Sequence, residues 1–212
     1  GRQGAFEVNN FTSPAFVARV NYHGVKGLRV GASFYYNQTA KNGTKPWRNT
    51  GYKFPVTIVT GDLQYKGFNN NLIVRGNAVY GNLGASGALT TINNSSSAAS
   101  GYPNTTVAQN AVSYGGEAGY NIGSFFHSKA PRIYPFIRYE YYNPMEKTEA
   151  NTGLLADKRF QVSAVTAGLN YYALPNLVIK ADYTHRSIGG GKYNDENLVS
   201  VGIAYIGWFI KK

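Results

Sequence analysis

From Asn176 to Ser187 the chain reads NLVIKADYTHRS, in which Leu177, Ile179, Ala181 and Tyr183 alternate with Lys180, Asp182, Thr184 and Arg186. An extended strand points successive side chains to opposite faces, so this spacing makes one apolar face and one charged face. The same alternation recurs along the chain. PAFVARVNY sets Phe16, Ala18, Val20 and Tyr22 against Val17, Arg19 and Asn21, and LRVGASFYYN sets Leu28, Val30, Ala32, Phe34 and Tyr36 against Arg29, Gly31, Ser33 and Tyr35. VTGDLQYK, LIVRGNAVY, VSYGGEAGY, RIYPFIRYEYY, VSAVTAGLNY and LVSVGIAYIGWF continue the series. The pattern predicts about nine strands, each near the roughly 9–11 residues that cross a bilayer obliquely.

The connections alternate too. Short turns such as HGVKG, KGFNNN and ALPN carry the Gly, Asn and Pro of tight hairpins. Between them lie long polar stretches at 38–54, 81–106, 143–158 and 187–196, of which 81–106 is low in complexity and expected to be mobile. Strands running towards short turns end in Tyr22, Tyr65, Tyr120, Tyr171 and Tyr205, and those running towards long loops end near Tyr36, Tyr80, Tyr141 and Tyr183. Amphipathic rings at both ends of an apolar band suit two membrane interfaces. The predicted fold class is therefore all-β, a transmembrane antiparallel up-and-down β-barrel, with residues 1–212 forming a single domain. The competing reading is a soluble β-sandwich, which fills its apolar face with large aliphatics, whereas Gly, Ala and Tyr are frequent here. Pro135 removes a ladder donor within its strand and predicts a bulge or bend there.

Composition sharpens this picture. The 212 residues include 18 Tyr, 11 Phe, 25 Gly, one Met and no Cys, which favours strands and turns and excludes disulfides and Cys-ligated metals. Mean hydropathy is −0.31, and no apolar run approaches the roughly 20 residues of a spanning helix. A helical membrane protein is excluded. The opening GRQGAFEV shows no leader pattern, so a mature chain or a piece of one is expected. The first strand, Pro14 to Tyr22, and the last, AYIGWFIKK, run in the same direction. Bacterial single-chain barrels have an even number of strands, so at least one further strand is expected upstream and the chain reads as the C-terminal part of a larger barrel.

The segments YPFIRYEYYN, VTAGLNYYALPNLVIKADYTHR and LVSVGIAYIGWF resemble the C-terminal strands of porins of the phosphate-selective porin O and P superfamily. VNYHGVKGLRVGASFYYN and LQYKGFNNNLIVRGNAVYGN resemble earlier hairpins of that family's C-terminal half, so the similarity spans nearly the whole chain. The resemblance implies a barrel of about sixteen strands with an aqueous channel, and basic lumen residues along an anion or phosphate path.

With the apolar face towards lipid, the pore-lining candidates are Arg19, Arg29, Arg75, Arg138, Lys180 and Arg186, with the acidic Asp62, Glu117, Glu140 and Asp182. Six cations against four anions is a mild excess, and pore-facing cations concentrate anions. The formal charge of +11 adds little, because lysines such as Lys41, Lys45, Lys147, Lys211 and Lys212 fall in loops or near the termini. For any one residue the plainer reading is bracing of the wall, with Arg138, Glu140, Lys180 and Asp182 paired to neighbouring strands.

Enzymatic chemistry is not expected. Asp182 and His185 point to opposite faces of one strand, three scattered His lack metal-ligand spacing, and SIGGGKYN lacks a phosphate-loop pattern. Charges alternating with apolar residues do not make a nucleic-acid surface. No cofactor is implied. The function expected is an outer-membrane porin for passive diffusion of small hydrophilic solutes, mildly preferring anions and located in a bacterial outer membrane. The alternative is a narrow barrel plugged by side chains such as Tyr35, Phe136 and Tyr142, acting through its loops or within an outer-membrane complex. Partners expected are lipopolysaccharide and phospholipid, the solutes, and copies of itself or other outer-membrane proteins.

Overall fold

A computed structural model of the protein describes residues 14–38, 53–95, 106–126 and 131–205. Their alternating segments form nine strands: β1 (Phe16–Tyr22), β2 (Leu28–Gln38), β3 (Pro55–Gly67), β4 (Leu72–Leu83), β5 (Asn110–Tyr120), β6 (Arg132–Lys147), β7 (Val162–Leu174), β8 (Leu177–Ile188) and β9 (Asp195–Tyr205). Each pairs antiparallel with the next, so one up-and-down sheet runs in the order β1 to β9 and is not closed. The two edge strands run in the same direction and cannot complete an antiparallel ladder with each other.

The register keeps every predicted apolar set on one face. Phe34 pairs with Val59, Val59 with Tyr80 and Tyr80 with Val112, and further along Ile137 pairs with Ala118 and Ala167. Between the two rows of tyrosines this face has no Lys, Arg, Asp or Glu among the described residues. Nothing described packs against it as a second layer. Among the described residues the buried large apolar side chains are only Phe54, Tyr134, Val162 and Val178, while Val201, Val199, Ile203 and Val20 are more than 70% exposed. A sandwich core of the kind a soluble alternative needs is absent from the described residues.

Three details depart from expectation. The register irregularities lie between Asn110 and Val112 and between Tyr172 and Leu174, not at Pro135, which pairs in step with Leu169. Pro135 escapes because the β5–β6 ladder stops at Phe136. The stretch that does bulge, Asn143 to Lys147 opposite Val112 to Asn110, contains the strand's other proline, Pro144. Second, the stretch 81–106 is not all loop: β4 runs to Leu83, and Ser86–Ser95 forms a helix, α1. Third, strand pairing extends into 143–158 as far as Lys147 and into 187–196 from both sides, leaving six residues, 189–194, between β8 and β9. Most of 38–54, and Gly1–Ser13, lie outside the described residues.

The loop after β6 has its own pin. Asp157 accepts hydrogen bonds from the Arg159 guanidinium at 2.6 and 2.9 Å and from the Arg159 backbone N–H at 2.9 Å, and a single 3-10 turn, Lys158–Phe160, follows. The guanidinium bonds first, and the backbone bond second, hold the Asp157 carboxyl below its ordinary range. A depressed pKa contributes stability above the unfolded value and loses it as pH falls through the folded one. The protection of the Arg159 and Phe160 amides, measured relative to their intrinsic exchange rates, is therefore expected to fall below about pH 4, and Asp157→Asn should remove that fall.

Candidate functional site

All ten sequence-chosen charges lie on the face opposite the apolar one, and the ladder sorts them into rows. One row crosses β2 to β8 as Arg29, Gln64, Arg75, Glu117, Arg138, Thr166 and Thr184. Two residues further along each strand runs Gly31, Asp62, Asn77, Gly115, Glu140, Ala164, Arg186 and Glu196. Neighbouring strands lie about 4.8 Å apart, so a charge on every strand of a row meets its neighbours directly.

Glu117 organises the centre. Its Oε2 accepts from Arg138 Nη2 at 2.5 Å and Nε at 2.9 Å, and its Oε1 accepts from Arg75 Nη1 at 3.2 Å. One carboxylate thus joins three strands, β4, β5 and β6. Arg138 is held further by the Phe136 ring, 5.8 Å from its guanidinium carbon. Around this triad lies a depression of about 340 Å³, lined by Arg29, Asp62, Arg75, Glu117, Arg138 and Glu140, with Gln64 and Asn77 between them. A second, of about 260 Å³, shares Asn77, Gly115 and Glu140 and adds Tyr142 and Arg186.

Side chains also reach two strands over. Arg19 on β1 crosses β2 to Asp62 on β3 at 2.7 Å, donating to Ser33 at 2.9 Å on the way. Gly31 makes the crossing possible, because a Cβ there would lie 2.6 Å from Asp62 Oδ2 and closer still to Arg19 Nη2. Arg186 on β8 likewise pairs with Glu196 on β9 at 2.7 Å and donates over β7 to the Tyr142 hydroxyl at 3.2 Å. Gly31→Val is expected to break the Arg19–Asp62 bridge and lower stability by about 1–2 kcal/mol through crowding and the lost, partly exposed pair. Gly61→Val, on the other face with open space around it, should be neutral or stabilising when the two variants are compared by urea unfolding.

Six of the ten candidates surround the larger depression, Arg186 borders the smaller, and Arg19 joins through Asp62. Lys180 and Asp182 line neither, since they lie nearer the short turns, beside Asn170 and Gly168. Bracing by ion pairs holds for Arg19, Arg75, Arg138 and Arg186; Arg29, Glu140, Lys180 and Asp182 make no ion pair among the described residues. The ladder adds three charges to this face that the sequence reading left out: Lys66, Arg132 and Glu196. Glu196 was hidden in a presumed loop, although the period-two pattern of β9 extends back to it. With them the face has eight cations against five acids, an excess of three among the described residues. Asp182 and His185 do face opposite ways: Asp182 pairs across from Gly168 and Ser200, while His185 Nδ1 lies 2.9 Å from Asn197 Oδ1 on the apolar face. No family model matches the chain, and no curated protein matches it.

Proposed function

We propose that this sheet is a wall sector of a bacterial outer-membrane porin, of the kind the phosphate-selective porin O and P resemblance implies. The apolar face meets lipid and the polar face lines a water-filled lumen. Small hydrophilic solutes diffuse through passively, and anions are mildly favoured. The observation that carries the reading is a nine-stranded sheet whose apolar face, free of charge between two rows of tyrosine, stays exposed. In water so large a bare apolar face would drive association, whereas lipid accepts it.

The polar face supplies the rest. Its excess of cations raises the local concentration of anions, and Arg29 and Lys180, which make no ion pair among the described residues, offer guanidinium and ammonium groups to passing solutes. Closure of the wall takes an odd number of further antiparallel strands, because the two edges run the same way. Planar-bilayer conductance of the full protein in a KCl gradient tests the reading. Steady large conductance with a reversal potential on the chloride side is expected. Folded protein that conducts nothing would sink the open pore and leave the plugged barrel.

A further inference from the structure

We propose that the larger depression on the polar face is a binding subsite for a short peptide zwitterion, with the ammonium end at Glu140 and the carboxylate end at Arg29. The inference rests on the porin reading above and names a solute class for this part of the wall. The polar face as a whole has an excess of three cations among the described residues, but this depression has none. Three cations line it, Arg29, Arg75 and Arg138, against three acids, Asp62, Glu117 and Glu140. The excess lies elsewhere on the face, and a simple anion gains little from the net charge here.

Most of these charges already have partners. Glu117 takes Arg75 and Arg138, and Asp62 takes Arg19 from β1. One charge of each sign is left over: Arg29 and Glu140 make no ion pair among the described residues. The register gives the reason. Glu140 stands between Gly115 on β5 and Ala164 on β7, neither of which has a charged or polar side chain to offer it. Arg29 stands opposite the neutral Gln64, and the β1–β2 ladder stops at Val30 before reaching it. The two keep hydrogen-bonding capacity for a solute that is positive at one end and negative at the other.

Spacing selects the length of that solute. Arg29 on β2 and Glu140 on β6 are separated by four strand spacings across and two residues along, about 20 Å at the backbone. Their own side chains and two hydrogen bonds take up about half of that, leaving roughly 10 Å, the reach of about three extended residues. A single amino acid is too short to meet both. Between the ends lie the Gln64 and Asn77 amides, which donate and accept, and Arg75, which is 56% exposed and holds Glu117 by one hydrogen bond of 3.2 Å. Amides and a guanidinium with spare N–H groups suit the alternating C=O and N–H of a peptide backbone. Phosphate would face Glu140 uncompensated, and a neutral sugar would leave both end charges unanswered.

The test records ion current through the full protein in a planar bilayer, with triglycine as the probe. Triglycine should reduce the current in a concentration-dependent way. N-acetyl-triglycine and triglycine amide, each missing one end charge, should need concentrations about tenfold higher. Neither Arg29 nor Glu140 braces the wall, so Arg29→Gln and Glu140→Gln should both fold and conduct. Each should weaken the triglycine block about tenfold. In Glu140→Gln acetylation should cost nothing further, and in Arg29→Gln amidation should cost nothing further, which assigns each end of the peptide to its residue. Lys192→Gln, in the turn between β8 and β9, should leave the block unchanged. An open channel that triglycine does not block, a block that survives acetylation, or one equalled by glycine or inorganic phosphate overturns the proposal and leaves the porin reading standing. Folded protein that conducts nothing removes the porin reading and the proposal with it.

Discussion

Ile137→Arg will destabilise the lipid-reconstituted protein by about 2–4 kcal/mol, the depth-dependent cost of a cation on the lipid face of a barrel near the bilayer midplane. Ile137 stands in the middle of the apolar set of β6, between Ile133 and Pro135 on one side and Tyr139 and Tyr141 on the other. It is 59% exposed and flanked across the sheet by Ala118 and Ala167, so a longer side chain meets no steric barrier. In water such an exposed substitution changes stability by less than about 0.5 kcal/mol. The size of the effect therefore reports the solvent that touches this face. Gly202→Arg, on the polar face with open space around it, is the control and should cost little. Urea unfolding of both variants in vesicles, followed by the mobility shift of folded protein on gels, reads the difference. Equal midpoints for the two would end the lipid-face assignment.

Glu117→Gln will move the reversal potential further to the chloride side, and Arg75→Gln with Arg138→Gln will move it towards potassium. The carboxylate offsets two guanidiniums at once, so its removal exposes their charge to the lumen. A unit charge about 10 Å from the ion path in a water-like dielectric contributes about 0.4 kcal/mol, or roughly a twofold change in local ion concentration. The double arginine variant should shift selectivity about fourfold the other way. Both effects should grow as salt is lowered, because the screening length lengthens from about 8 Å at 0.15 M to about 30 Å at 0.01 M. Folding should tolerate Glu117→Gln at a cost of about 1 kcal/mol, since Arg75 and Arg138 are 56% and 41% exposed and water replaces their partner. Selectivity indifferent to all three residues would place the ion path elsewhere.

Period-two alternation carried most of the architecture. It placed all nine strands, the opposite facing of Asp182 and His185, and all ten chosen charges on one face, because a one-residue slip would have exchanged the faces along a whole strand. It misjudged the places where local signals compete. Pro135 looked like a defect, yet the missing donor falls where its ladder to β5 has already ended. The polar ASGALTTINNS reads as loop by composition. It is helical because Glu149, from the loop after β6, accepts from Gly87 N–H at 2.5 Å, and Thr90 Oγ1 accepts from Val107 N–H at 2.9 Å. A carboxylate 62 residues away thus satisfies a donor at the helix start, and Val107, 17 residues away, ties the helix to the segment that leads into β5.

The linear pattern was thus sufficient for the strands and for which side chains share a face, since both follow from the strand repeat. Who pairs with whom was settled only by the assembled sheet. The alternation led to an expected partner for Arg138 on a neighbouring strand without naming it; the antiparallel register sets Arg138 directly opposite Glu117, which also receives Arg75 from the far side. Arg19 finds Asp62 two strands away only because a glycine leaves the space between them empty. Ion pairs depend on distances of a few ångströms across strands, and those distances come from register and from the volume of the residue in between.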